Sequence, residues 1–204
     1  MHNSQHADKP RLLAIAGSPR RNGNTDRLLN EAVTGAASRG AIVKQIILSD
    51  LDISPCKHCD GCMQTGGICS ISDDMEWIYQ DLRSYDRFIF ASPVFFMGIP
   101  AHAKAMIDRC QALWVIKYIL KMPVANSKNA DRSGIFISTG GTNYKNLFSG
   151  SVATVKSWFI TLDIDYLDEL LVPGVDGFNA VESHPDVLKN AYMLGQKLIN
   201  TKLK

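Results

Sequence analysis

Apolar positions along the chain fall into two alternating periods. Short apolar runs occur at Leu12–Gly17, Ile42–Leu48, Arg87–Ser92, Ser133–Ser138 and Leu167–Val172, with Gly, Pro, Ser or Asp near their ends. Runs of this length between turn residues predict buried parallel strands. Between them, apolar residues recur three and four apart. Leu28, Leu29, Ala32, Val33 and Ala36 share one helical face, and Asn24 is the expected N-cap. A second helix is expected to begin in Ile71–Glu76, with Asp73 and Glu76 spaced as in a capping box. Pro100 suits the first position of a third helix, which sends Ala103, Met106, Ile107, Cys110 and Leu113 inward. Helical spacing returns at Leu147–Leu162 and Asp186–Ile199. Residues 117–132 break the periodicity with Lys117, Lys121, Pro123, Asn126 and Asn129, and predict a connecting loop of the kind that serves as a lid. Five strands alternating with amphipathic helices predict an α/β fold, a doubly wound parallel sheet of order 2-1-3-4-5.

The chain has 204 residues, 46% hydrophobic and 21% charged, which suits one domain with a sizeable core. Residues 11–204 are expected to form it, with a cysteine-rich loop at 54–72 as an insertion. Residues 1–10 read as a loose tail, because His2, His6 and Lys9 interrupt any signal-peptide core. A net charge of +2 gives no electrostatic case for a nucleic-acid partner. No apolar run reaches membrane-spanning length, so no membrane partner is expected and a cytoplasmic location with reduced thiols is the default.

Cysteine placement changes the picture most. Four of the five cysteines stand at Cys56, Cys59, Cys62 and Cys69, a C-x2-C-x2-C-x6-C pattern. Gaps of two residues bring thiolates around one centre and suit iron–sulfur ligation. Zinc uses four thiolates too, more often as two separated pairs, and unligated thiols are the third reading. Two disulfides need an oxidising compartment that nothing in the sequence suggests. Cys110 lies in an apolar helical pattern and is expected to be an inert core thiol.

By the switch-point rule, loops at the carboxyl ends of the strands bind ligands. Ser18–Thr25 is rich in hydroxyl, amide and guanidinium donors and feeds a helix N-terminus, which suits a phosphate. It fits neither the triphosphate-loop spacing nor the dinucleotide fingerprint. Ser92–Pro100 holds Val94, Phe95 and Phe96 between two prolines, which suits a wall against a flat ring. Ser138–Thr142 carries paired glycines that let backbone approach a ligand. A phosphate at one end and a planar ring at the other describe a flavin mononucleotide. Acid–base candidates are poor: His58 and His102 have no evident task, and Asp108-Arg109 reads as a structural ion pair or helix-end contact. No catalytic side chain is expected.

Gly17–Thr25, Ser92–Gly98 and Lys104–Arg109, in this order, resemble the NADPH-dependent FMN reductase family of flavodoxin-like proteins. The compact cysteine motif narrows the resemblance to its iron–sulfur flavoprotein branch. The resemblance implies that Ser18, Arg20, Asn22, Asn24 and Thr25 hold the FMN phosphate. It implies that Pro93, Val94, Phe95, Phe96 and Gly98 line the isoalloxazine, and that Thr139, Gly140 and Gly141 approach its polar edge. Cys56, Cys59, Cys62 and Cys69 are then ligands of a 4Fe–4S cluster. Homodimers or dimers of dimers are implied, with the cluster of one subunit near the flavin of another. The implied activity is electron transfer from a ferredoxin-like one-electron donor through cluster and FMN to a small acceptor such as oxygen, peroxide or a quinone. Phe95 stands where relatives place Tyr, and 117–132 carries no motif to transfer. Two further readings stay open: a plain NAD(P)H-dependent FMN or quinone reductase without a cluster, and a flavodoxin-like shuttle with no substrate of its own.

Overall fold

The computed structural model describes residues 9–126 and 131–201. In chain order they form β1 (Arg11–Ala16), α1 (Asn24–Ala37), β2 (Ile42–Ile47), α2 (Gly61–Gln64), α3 (Met75–Ser84), β3 (Arg87–Pro93), α4 (Ala101–Arg109), α5 (Gln111–Trp114), β4 (Ser133–Thr139), α6 (Ser149–Thr161), β5 (Asp165–Val172) and α7 (Pro185–Asn200). All strand pairs are parallel, and the order is β2-β1-β3-β4-β5, as the alternating periods predict.

Central β1 is buried on both faces, which is why its sequence is continuously apolar. Leu12, Ala14 and Ala16 point to one core, with Leu28 and Leu29 of α1 and Leu194 and Leu198 of α7. Leu13 and Ile15 point to the other, with Ile78 of α3, Met106 of α4 and Trp158 of α6. The α1–α7 pair packs backbone to backbone. A Cβ on Gly195 would lie 1.9 Å from the Ala32 carbonyl oxygen, and one on Gly35 would lie 2.0 Å from that of Tyr192. Only glycine permits this approach, and it fixes the helix whose N-terminus enters the cleft described below.

Several expectations change in detail. The last strand starts at Asp165, and a register shift at Gly134/Ile135 marks its pairing with β4. Its first residues are half exposed at a sheet edge, so hydropathy alone does not reveal them. The segment expected as a loop from 117 begins instead as a π-helical turn, Val115–Ile119, continuing α5. Residues 127–130 of that proposed lid, and residues 1–8 of the expected tail, lie outside the described residues. No helix among the described residues is long and apolar enough to cross a membrane.

Candidate functional site

Loops following β1, β3, β4 and β5 enclose a cleft of ≈ 270 Å3. The β1–α1 loop is shaped from within. Ser18 Oγ donates to the Arg20 carbonyl at 2.9 Å and accepts from the Arg20 amide at 3.1 Å. Asn22 turns left-handed at φ 55°, and its amide donates to Asp26 Oδ2 at 2.9 Å. Burial raises the Asp26 carboxyl above its ordinary range, against the Asn22 amide and the Arg21 charge.

Asn24 is not the N-cap of α1; Gly23 holds that position. The Asn24 side chain donates to the carbonyls of Val175 (3.2 Å) and Gly177 (2.8 Å) and accepts from the Val181 amide (3.1 Å), joining the first loop to the last. Thr25 and Thr139, both buried, share a 2.6 Å hydroxyl contact that joins the first loop to the end of β4. The Val94 amide donates to the Thr139 carbonyl at 2.9 Å. The cleft is therefore a cross-linked frame of loops on a rigid sheet, and the N-terminal turn of α1 that borders it suits an anion.

The β3–α4 loop closes as a two-residue hairpin. Phe95 and Gly98 exchange backbone hydrogen bonds, each 3.0 Å. Both central residues are left-handed, Phe96 at φ 48° and Met97 at φ 64°. Asn and Gly ordinarily take such positions, so two large apolar residues here are strained. Phe95 lines the cleft; Phe96 projects outward and is 105% exposed.

The cysteine loop follows β2. Left-handed His58 (φ 49°) and Asp60 (φ 56°) wind it tightly around Cys59. Cys56, Cys59, Cys62 and Cys69 all line one small cavity, together with Ile71, Arg109 and Ala112. All four are free thiols. Burial raises the Cys62 thiol, and charge on Cys69, Cys56 and Cys59 raises it further. The Ser70 hydroxyl, 3.5 Å from Cys59 Sγ, lowers that thiol instead. Among the described residues, no three His, Cys, Asp or Glu side chains are drawn in closely enough to hold a metal ion as they stand. The donor set nonetheless fits a thiolate-ligated centre in residue type and in opening on one cavity.

A buried ion pair staples this loop to α4. Arg109 Nη1 donates to Asp73 Oδ2 at 2.5 Å and to the Ser54 carbonyl at 2.9 Å; Nη2 donates to Asp73 Oδ1 at 3.1 Å and to the Ile71 carbonyl at 3.0 Å. Both ends of the cysteine segment are thus tied to one guanidinium. Two expectations are corrected. Asp73 is not half of a capping box: Glu76 accepts from the Ser72 hydroxyl instead, and Asp74 is the N-cap. Asp108 does not pair with Arg109 but with Lys104, at 2.8 Å one helical turn away. Cys110 is buried as expected, accepts from Trp158 Nε1 at 3.2 Å, and has its thiol pushed up to about 12 chiefly by burial.

The family model described as NADPH-dependent FMN reductase matches residues 10–150. This chain belongs to that family. Among its relatives, an iron–sulfur flavoprotein of Methanosarcina thermophila is 33% identical over 65% of this chain and 64% of its own. Another of that name from Archaeoglobus fulgidus is 36% identical over 60% of this chain and 64% of its own. The chain thus spans a little under two thirds of the length of these relatives. Among solved structures, a flavone reductase superposes with a TM-score of 0.69 at 19% identity, over 93% of this chain and 62% of that one. An FMN-dependent NADH-azoreductase from Bacillus anthracis superposes with a TM-score of 0.67 at 15% identity, over 93% of this chain and 100% of that one. These likenesses carry the flavodoxin-like fold.

Of the residues the sequence singles out, Ser18, Arg20, Asn24, Thr25, Pro93, Val94, Phe95, Thr139, Gly140 and Gly141 line the cleft. Asn22, Phe96 and Gly98 do not; they shape the two loops from outside it. Val175 and Asp176 line it unforeseen. A Cβ on Gly141 would lie 2.8 Å from Asp176 Oδ1, so the paired glycines bring the β4 and β5 loops together. Applying the carboxyl-end rule to β5 as well would have found them.

Proposed function

We propose that this chain is an FMN-dependent oxidoreductase whose clustered thiols hold a 4Fe–4S cluster. It takes electrons from a one-electron donor of the ferredoxin type and passes them to a small acceptor, such as a quinone, oxygen or peroxide. Four free thiols opening on one cavity, in a chain of the FMN reductase family, is the observation that carries this reading. The printed name of the relatives, iron–sulfur flavoprotein, supports it.

When bound, FMN takes up and releases electrons singly or in pairs, and the cluster carries them one at a time. The chain's own residues supply binding and orientation. The N-terminal amides of α1, the Ser18 loop and Arg20 hold the phosphate. Pro93, Val94 and Phe95 wall the ring with apolar surface and exclude water from one side. Thr139, Gly140 and Gly141 bring backbone close to its polar edge, the Gly140 amide itself being held by the Val172 carbonyl at 3.0 Å. The Asn24 and Thr25 cross-links keep these three parts at fixed spacing, so the site is set before the cofactor arrives. Cys56, Cys59, Cys62 and Cys69 hold the cluster, and the Arg109–Asp73 pair fixes the span between them. Homodimers or tetramers fit the outward Phe96, whose exposed ring has no cover among the described residues.

A plain NAD(P)H-dependent FMN or quinone reductase is the second reading, favoured by the description of the matching family model. Anaerobic absorption spectra before and after reduction by reduced ferredoxin separate the two. The first reading expects broad thiolate–iron absorption beneath the flavin bands, bleached together with them, and turnover when quinone is added. Flavin bands alone, with rapid NADPH oxidation, favour the second.

A further inference from the structure

Arg109 holds one donor that the staple does not use. Its side chain is fully buried, and its Nη atoms are consumed by Asp73, Ser54 and Ile71. Its Nε is buried without a hydrogen-bond partner among the described residues. A buried N–H left unpaired is costly, and more so on a charged group. Arg109 lines the same cavity as the four cysteines, while Asp73 is absent from that lining. Cys69 is the thiol beside this guanidinium, since Nη2 is bonded to the carbonyl of Ile71, two residues on, and both side chains line the one cavity.

We propose that Arg109 is a positioning residue for the thiolate-bound centre: its Nε–H donates to the Cys69 sulfur when that sulfur is a ligand. The inference rests on the cluster reading above and deepens it. Hydrogen bonds to ligating sulfur withdraw electron density and raise a cluster's reduction potential, and a partner of this kind also fixes ligand orientation. The arrangement explains why the cavity contains a cation whose charge is already balanced. The Asp73 carboxylate occupies the Nη side of the guanidinium and leaves the remaining N–H for a cavity that the sulfurs line.

The test compares three anaerobically reconstituted proteins by spectroelectrochemical titration: wild type, Arg109→Lys and Asp73→Asn. Arg109→Lys keeps the charge and an ion pair to Asp73 but removes the Nε donor. At the wild-type midpoint, well under half of its cluster is expected to be reduced. Asp73→Asn removes a nearby negative charge while keeping the donor, and its reduced fraction is expected to be one half or more. Equal midpoints for wild type and Arg109→Lys overturn the proposal, as does the same downward shift in both variants, which a purely structural staple predicts.

If Arg109→Lys takes up no iron, Co2+ titrated into the metal-free proteins gives the same reading. The thiolate-to-cobalt charge-transfer band is expected at lower energy in the variant than in wild type. An unmoved band overturns the proposal. Wild-type protein that takes up no iron overturns the underlying cluster reading, and the Co2+ band still reports on the donor separately.

Discussion

Replacing Asp73 with Ala tests the staple that holds the cysteine loop. The substitution removes both carboxylate contacts to Arg109 and the acceptor for the Ser54 and Met75 amides. The Asp73 side chain is 4% exposed and that of Arg109 is 0% exposed, so the guanidinium is left charged without a counter-ion and without water. Breaking a buried pair in this way costs about 3–5 kcal/mol. For a chain of this size each kcal/mol lowers Tm by about 2–4 °C, so a fall of roughly 6–20 °C is expected at neutral pH. Burial alone would raise the Asp73 carboxyl, but Arg109 and the two amides outweigh it and hold it below the ordinary range. A depressed folded-state value means the stabilisation is complete above the unfolded value, ~3.9, and fades as pH falls through the folded one. The gap between wild type and variant therefore narrows in acid below about pH 4. Thermal unfolding from neutral to acid pH, with hydrogen exchange across residues 54–73, measures both effects. A neutral-pH Tm within about 2 °C of wild type, or a gap unchanged in acid, refutes the reasoning.

Three further outcomes follow from the same geometry. Thr139→Val leaves the buried Thr25 hydroxyl unpaired at a cost of about 1–3 kcal/mol, and loosens the frame; FMN binding followed by fluorescence quenching is expected to weaken about tenfold. Gly195→Ala drives a methyl to 1.9 Å from the Ala32 carbonyl and must separate α1 from α7; a loss of about 3 kcal/mol or more, read by thermal unfolding, is expected alongside weaker FMN binding. Cys110, with its thiol pushed up to about 12, is expected to resist alkylation at pH 8 while the four loop cysteines of metal-free protein react, as mass spectrometry of native protein reports.

Strand order was legible because burial on both faces leaves continuous apolar runs, which few other arrangements produce. Leu12–Gly17 and Arg87–Ser92 illustrate this, whereas Asp165 and Tyr166 at the sheet edge carry no such mark. Ligand loops after β1, β3 and β4 were legible through hydroxyl, aromatic and glycine content. Asp176 was marked by its position after β5, and the Asn24 contacts that hold residues 175–181 at the cleft are visible only in the fold. Asp73 misled for a related reason. At a helix start, a carboxylate two or three residues before the first turn reads as a cap, and its partner 36 residues away is visible only in the fold. The left-handed Phe96-Met97 turn contradicts propensity outright. Its strain is tolerated because the Phe95–Gly98 bridge holds the ends of the turn together, and because the Met97 carbonyl packs against α6, 2.5 Å from where a Gly150 Cβ would sit.

The central claim is that the four loop cysteines gather one inorganic centre in a chain that also binds FMN. The direct measurement is iron, acid-labile sulfide and FMN per chain in protein purified without oxygen, beside a Cys62→Ser variant. The account predicts about four iron and about four sulfide per FMN in wild type, and iron lost but FMN retained in the variant. FMN bound at full occupancy with no iron, or with zinc in its place, contradicts it.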